Sequence, residues 1–173
     1  IITVGMFDTP IFAANDWILS IDALMEEYPD SVQADYNVDD ILAGVRLGVS
    51  YEEEMYSLPF YGESSMVMYN TDLFEAAGVT MPEQPTWDEI REIACEIHDP
   101  ENGTYGIVLR GLPGWGQMMA PLTTVVNTFG GDWFDENWEP QLNTPEWNEA
   151  VSFYIDLLDD CGQPGPTSTG FSE

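Results

Sequence analysis

Thirty-two aspartates and glutamates stand against three arginines and no lysine in 173 residues, a formal net charge of −29. Such a chain becomes compact only if its apolar residues gather away from the acids, because like charges on a folded body repel and salt relieves that repulsion. Isoleucine, valine, leucine and phenylalanine supply 42 residues, enough to build a core and too many for a disordered chain. The charge excludes classes of partner. Three scattered arginines make no cationic groove for nucleic acid and no anchor on an anionic membrane. No apolar run reaches the roughly 18 residues of a membrane span, so no membrane insertion is expected of this segment. No basic start followed by an apolar stretch is present, so no signal peptide is read, as in a mature chain or a piece of one. The acids are dispersed. They read as a solvated surface suited to high salt, and a cation store is the alternative.

Alternation of short apolar runs with helical patterns predicts an α/β layered fold. Strands are expected at Ile1 to Phe7, Tyr56 to Phe60, Glu63 to Tyr69 and Tyr105 to Leu109. Ile11 to Tyr28 is amphipathic with unclear breaks, and Val38 to Leu47 reads as one short helix. Leu73 to Ala77 reads as a helix stopped by Gly78. Thr86-Trp87-Asp88-Glu89 is a capping box, followed by Ile90, Ile93, Ala94 and Ile97 at helical spacing. Gln117 to Phe129 reads as an apolar helix. Thr144 and Pro145 open a last one, with Val151, Tyr154, Ile155 and Leu158 as its buried face. The Pro/Gly/Ser/Thr-rich stretch from Gln163 to Glu173 reads as a linker. A chain that begins inside a strand and ends on a linker reads as one piece of a larger whole. Cys95 and Cys161 lack zinc spacing and could form a disulfide, which spacing alone does not place.

No nucleophile elbow, Walker loop or zinc motif is present, so no catalytic residue, metal or cofactor is assigned. His98, the sole histidine, is expected at a helix C-terminus beside the last carbonyls. The strongest candidate is the loop Arg110-Gly111-Leu112-Pro113-Gly114-Trp115-Gly116, at the carboxyl end of an expected strand, where open α/β sheets gather ligands. Arg110 offers several fixed donors, and Trp115 offers a face for the C–H groups of a sugar or polyol. Phe60-Tyr61-Gly62-Glu63-Ser64-Ser65 mixes aromatic faces, a carboxylate and hydroxyls, which also suits a polyhydroxylated ligand. Asp8 ends the first expected strand and is the third candidate. The plain alternatives are an ion-paired Arg110 beside a core Trp115, a surface turn at 60–65, and a turn-initiating Asp8. Trp133, Trp138 and Trp147 read as core or lid residues, and Glu26-Glu27 and Glu52-Glu53-Glu54 as solvated faces.

Leu58 to Ser65 (LPFYGESS), Met68 to Gly78 (MYNTDLFEAAG), Pro85 to Ile90 (PTWDEI) and Tyr105-Gly106-Ile107 with Arg110-Gly111 resemble the extracellular solute-binding proteins of ABC sugar importers, family 1, maltose-binding-like. Gly5-Met6-Phe7-Asp8, Gly62 to Ser65 and Arg110 to Gly116 are similar to its mannitol/sorbitol-binding branch. The resemblance implies a type II periplasmic-binding-protein-like fold whose two lobes close on a ligand, present here as an incomplete middle fragment. It implies residues 1–70 in the N-terminal lobe and first crossover, 71–162 in the C-terminal lobe, and 163–173 as the return linker. It implies a binding protein and no enzyme, partnered by a sugar or sugar alcohol and by the permease subunits of the importer. Its place would be periplasmic or extracellular, with any lipid anchor in a missing N-terminus. Asp8 and Glu63 would accept from ligand hydroxyls, Arg110 would donate and Trp115 would stack, with Phe60, Tyr61 and Ser64 beside them. The chain departs from the family in holding Asn, Thr, Ser or Glu where lysine is usual, which changes the surface rather than the cleft. Three other functions compete: a carbohydrate hydrolase using Asp8 and Glu63 as its carboxylate pair, an interaction module, and a calcium-binding surface domain.

Overall fold

In a computed structural model, which describes residues 1–29 and 34–171, the chain divides into two units, Ile1–Ser64 and Ser65–Glu173. In the first unit, helix α1 (Thr9–Ala14) starts at Asp8 with Pro10 in its first turn, where a missing N–H costs nothing. The amphipathic stretch that follows is broken near Asp16, whose φ of 56° is left-handed. It resumes as α2 (Ile21–Glu26), where the Ser20 hydroxyl accepts the Ala23 amide hydrogen at 3.1 Å. The single helix expected at 38–47 is two pieces. Asn37 has a φ of 50°, Val38–Asp40 forms a 3₁₀ turn, and Ile41 and Leu42 re-extend before α3 (Ala43–Gly48).

Strands β1 (Ser50–Tyr51) and β2 (Glu54–Met55) then form a hairpin, with Tyr51 opposite Glu54. Glu52 and Glu53 make its two-residue turn with φ of 48° and 72°. The Asp22 carboxylate accepts the amide hydrogen of fully buried Met55 at 2.9 Å and lies 3.9 Å from the Arg46 guanidinium. One carboxylate therefore ties α2 to the hairpin and to α3.

None of the four expected strands forms as a strand, and the one at 105–109 keeps a single bridge at Ile107. Residues 1–5 run irregularly into a turn in which the Gly5 carbonyl accepts from the amides of Asp8 and Thr9. Residues 57–70 carry no regular element. A strand persists only where a neighbour takes up its N–H and C=O groups, and among the described residues only β1 and β2 form a sheet.

The second unit is helical. Asn70 caps α4 (Thr71–Ala77) by accepting from the amides of Asp72 and Leu73, and Gly78 ends it at a φ of 70°, a conformation glycine takes without strain. Helix α5 (Trp87–Ile97) begins with the expected capping box: the Thr86 hydroxyl accepts from Glu89 N–H, and the Glu89 carboxylate accepts from Thr86 N–H at 2.8 Å. Those bonds hold the Glu89 carboxyl below its usual range. Helix α6 (Met119–Thr128) is close to its expected extent. Helix α7 (Pro145–Cys161) is capped by Thr144.

The core gathers Leu122, Val125 and Val126 of α6 with Trp147, Ala150, Phe153, Tyr154, Leu157, Leu158 and Cys161 of α7 and Ala94 of α5. Tyr154 and Leu158 are buried as expected, but Ile155 is half exposed. The buried stripe runs through positions 150, 154, 157 and 161, and Ile155 lies about 100° around the helix from Tyr154. Trp133 packs edge-on against buried Trp147, whose indole N–H donates to the Asp132 carbonyl, whereas Trp138 is exposed.

Cys95 and Cys161 form a disulfide, with Cα atoms 5.0 Å apart. It joins α5 to the end of α7 beside the Arg91–Asp160 ion pair. His98 meets a carbonyl of α5 through its main chain, donating its amide hydrogen to that of Ala94 at 3.0 Å, while its ring turns to the segment beyond. The chain leaves the helix at His98, and Nδ1 accepts the Gly106 amide hydrogen at 3.3 Å.

Candidate functional site

The expected strand at 105–109 is an extended segment held by the chain that follows α7. Ile107 forms a parallel bridge with Gly162, and its N–H donates to the Cys161 carbonyl. Two residues on, a side chain replaces the main chain: Gln163, buried, donates Nε2–H to the Leu109 carbonyl at 2.6 Å and accepts the Leu109 amide hydrogen on Oε1 at 3.3 Å. The Thr169 carbonyl accepts from both Gly111 and Leu112. Residue 111 must be glycine for this, since a Cβ there would lie 2.4 Å from the Pro166 carbonyl oxygen. The stretch read as a linker is thus bonded along 109–112; Ser172 and Glu173 lie outside the described residues.

Arg110 sits at the centre of this arrangement, half-buried. Its carbonyl accepts the hydroxyl hydrogen of buried Tyr154 at 2.7 Å, and burial pushes that phenol up to about 12. Its guanidinium donates to the Gly116 carbonyl at 2.8 Å, closing the 110–116 loop on itself, and lies 5.1 Å from the centre of the Phe171 ring. Arg46 and Arg91 each face a carboxylate, whereas among the described residues Arg110 has none. The plain alternative of an ion-paired Arg110 therefore does not hold for the described residues. Trp115, at the tip of the loop, is 75% exposed and so is not a core residue. The side-chain amide oxygen of Gln117, two residues on, is enclosed without a hydrogen-bond partner among the described residues.

The first unit carries the other candidates. Asp8 is half-buried at the start of α1; its carbonyl accepts from Phe12, and its carboxylate makes no capping bond. Next to it, fully buried Thr9 shares a hydroxyl hydrogen bond with Ser57, which ties the start of α1 to the segment leading to Phe60. Phe60 and Tyr61 are exposed and tilt against each other at 4.8 Å, and Glu63 and Ser64 are exposed beyond them. Among the described residues no three His, Cys, Asp or Glu side chains converge as a metal-binding group, and no helix is long and apolar enough to cross a membrane.

Sequence reasoning missed Tyr154 as a partner of Arg110, and missed Gln163 altogether. A lone buried glutamine after a helix carries no local signal; its partner lies 54 positions earlier.

The whole chain, residues 1–173, matches the family of bacterial extracellular solute-binding proteins. It belongs to that family. This member is 43% identical over its full length to a mannitol-binding protein of Pseudomonas aeruginosa, of which it covers 38%. It superimposes with a TM-score of 0.82 and 45% identity on an ABC transporter solute-binding protein of Agrobacterium vitis solved with bound D-mannitol, covering 98% of this chain and 39% of that one. A ribitol complex from Agrobacterium radiobacter, at 24% identity and a TM-score of 0.74 over 97% of this chain and 41% of that one, agrees on the fold alone. The fold is therefore that of the type II periplasmic solute-binding proteins. This chain spans about two fifths of the length of these relatives. The family binds solutes and is not a family of enzymes.

Proposed function

We propose that this chain is part of the substrate-binding component of an ABC importer that captures a sugar or sugar alcohol of the mannitol/sorbitol type and passes it to the permease subunits. The observation that carries the reading is Arg110. In a chain of net charge −29 it is, among the described residues, the arginine left without a carboxylate, set in a loop that also presents Trp115. A neutral polyol accepts from guanidinium N–H groups, donates to carboxylates, and lays its C–H groups on aromatic faces. Arg110 is the donor, Asp8 and Glu63 are acceptors, Ser64 adds a hydroxyl, and Trp115, Phe60 and Tyr61 cover the carbon skeleton. The mannitol-binding relative and the D-mannitol complex support the choice of ligand class.

For the whole protein, a solute bonded by both lobes favours their closed arrangement. A micromolar Kd corresponds to about −8 kcal/mol, within reach of such contacts. Residues 1–70 and 71–162 are assigned to the two lobes, with 163–173 as the return between them. The protein works outside the cytoplasmic membrane, free or lipid-anchored, and its acidic surface supports a high-salt setting.

The test is a tryptophan-fluorescence titration with mannitol, sorbitol, glucose, maltose and calcium chloride, at low and high salt. A saturable response to a polyol, weakened at least tenfold in Arg110→Ala and Trp115→Ala, is expected. A folded protein that answers only calcium, or no sugar in either salt, overturns the reading.

A further inference from the structure

We infer that Tyr154 and Gln163 are positioning residues for ligand capture, which act by fixing the main chain on both sides of the Arg110 Cα. The inference rests on the polyol-binding reading of Arg110 and deepens it. The guanidinium can meet a ligand at a defined angle only if the backbone that carries it does not swing, and among the described residues no strand pairs with that backbone. No strand includes residues 108–112. Their main-chain hydrogen bonds are made instead by two side chains, the Thr169 carbonyl and the Met118 amide.

Gln163 takes both main-chain groups of Leu109, the residue before Arg110, as a neighbouring strand would. Tyr154 takes the carbonyl of Arg110 itself. Thr169 takes the amides of the two residues after it. Both side chains are anchored in the packed part of the fold. Tyr154 lies in the core of α7 at 3% exposure, and Gln163 follows two residues after the disulfide-bonded Cys161. Tyr154 is also a donor at physiological pH, as a phenol is, and burial extends that to more alkaline pH. Neither residue needs to touch ligand. The guanidinium keeps one N–H on Gly116, and a guanidinium has five N–H donors in a fixed fork. Such precision in a donor group is lost when its support loosens by a fraction of an ångström.

The experiment is a double-mutant cycle on the complete protein, read by calorimetric titration with D-mannitol and accompanied by thermal unfolding of every variant. Tyr154→Phe removes one oxygen and keeps the ring, so it preserves the packing of α7. Gln163→Leu removes both bonds to Leu109. Each is made alone and together with Arg110→Lys, which keeps a cation and measurable binding but loses the fork. Affinity falls about three- to tenfold for each single variant, as expected for a lost hydrogen bond, and by less than twofold when Arg110 is already lysine.

An equal loss in both backgrounds, or none in either, overturns the positioning role while leaving Arg110 as a ligand contact. Wild-type affinity in Arg110→Lys and in an Arg110→Ala control overturns the Arg110 reading and this inference together. Should Gln163→Leu fail to fold, the Tyr154→Phe cycle decides alone.

Discussion

The hairpin turn uses Glu52 and Glu53 at left-handed φ, where asparagine and glycine sit at ease and where two adjacent carboxylates also repel. Replacing the pair by Asn-Gly stabilises the first unit by about 1 kcal/mol in urea denaturation. An unchanged midpoint would mean the turn is not strained. Glu-Glu carries no turn signal, so the hairpin was invisible beforehand, and the same acids read only as a solvated face. Tyr154 is tuned by burial. Its phenol is raised from 10.0 to about 12 in the fold, so folding favours the neutral form. The contribution is complete below pH 10, where folded and unfolded chains both keep the proton. It is lost as pH rises through about 12, since the unfolded chain ionises first. Stability measured from pH 9 to 12 falls more steeply in the wild type than in Tyr154→Phe. Parallel curves would show that Tyr154 is not the group responsible.

Elements were legible where the signal is local. The Thr86–Glu89 box and the Thr144-Pro145 start needed only three or four residues each to declare a helix. The strands were not legible, because an apolar run names a strand but not its partner. The segment at 105–109 shows why: its far partners are the Gln163 side chain, Cys161 and Gly162, all remote in sequence. The candidate site divides in the same way. Arg110 and Trp115 could be picked out by type and place, and their supports could not. The disulfide likewise needed the fold to bring α5 to the end of α7. Closing a loop with a sequence separation of 66 residues limits the unfolded chain by about 4 kcal/mol in the chain-entropy account. The paired Cys95→Ala, Cys161→Ala variant therefore unfolds at clearly lower denaturant. A loss below about 1 kcal/mol would show that α5 and α7 are held by their packing alone.

Across the whole molecule, the charge governs. With three cations among thirty-five charged groups, repulsion between acids is relieved chiefly by dissolved ions. The melting temperature of the complete protein rises with sodium chloride from 0.1 M toward ~2 M, well past the point at which a Debye length of about 3 Å screens exposed charges. A melting point that stays flat or falls over that range would mean the surface is not self-repelling. Pairing is too sparse to substitute for salt: the Arg91–Asp160 and Arg46–Asp22 pairs are partly exposed, and each is worth at most about 1 kcal/mol.

The bond between Cys95 and Cys161 also has a topological side. Everything between the two sulfurs is a closed covalent ring, and Arg110 and Trp115 ride on it. A protease that cuts at the exposed Pro113–Gly114 turn therefore opens the ring without releasing a piece. The nicked molecule migrates as one chain on a gel until a thiol is added, and then as two.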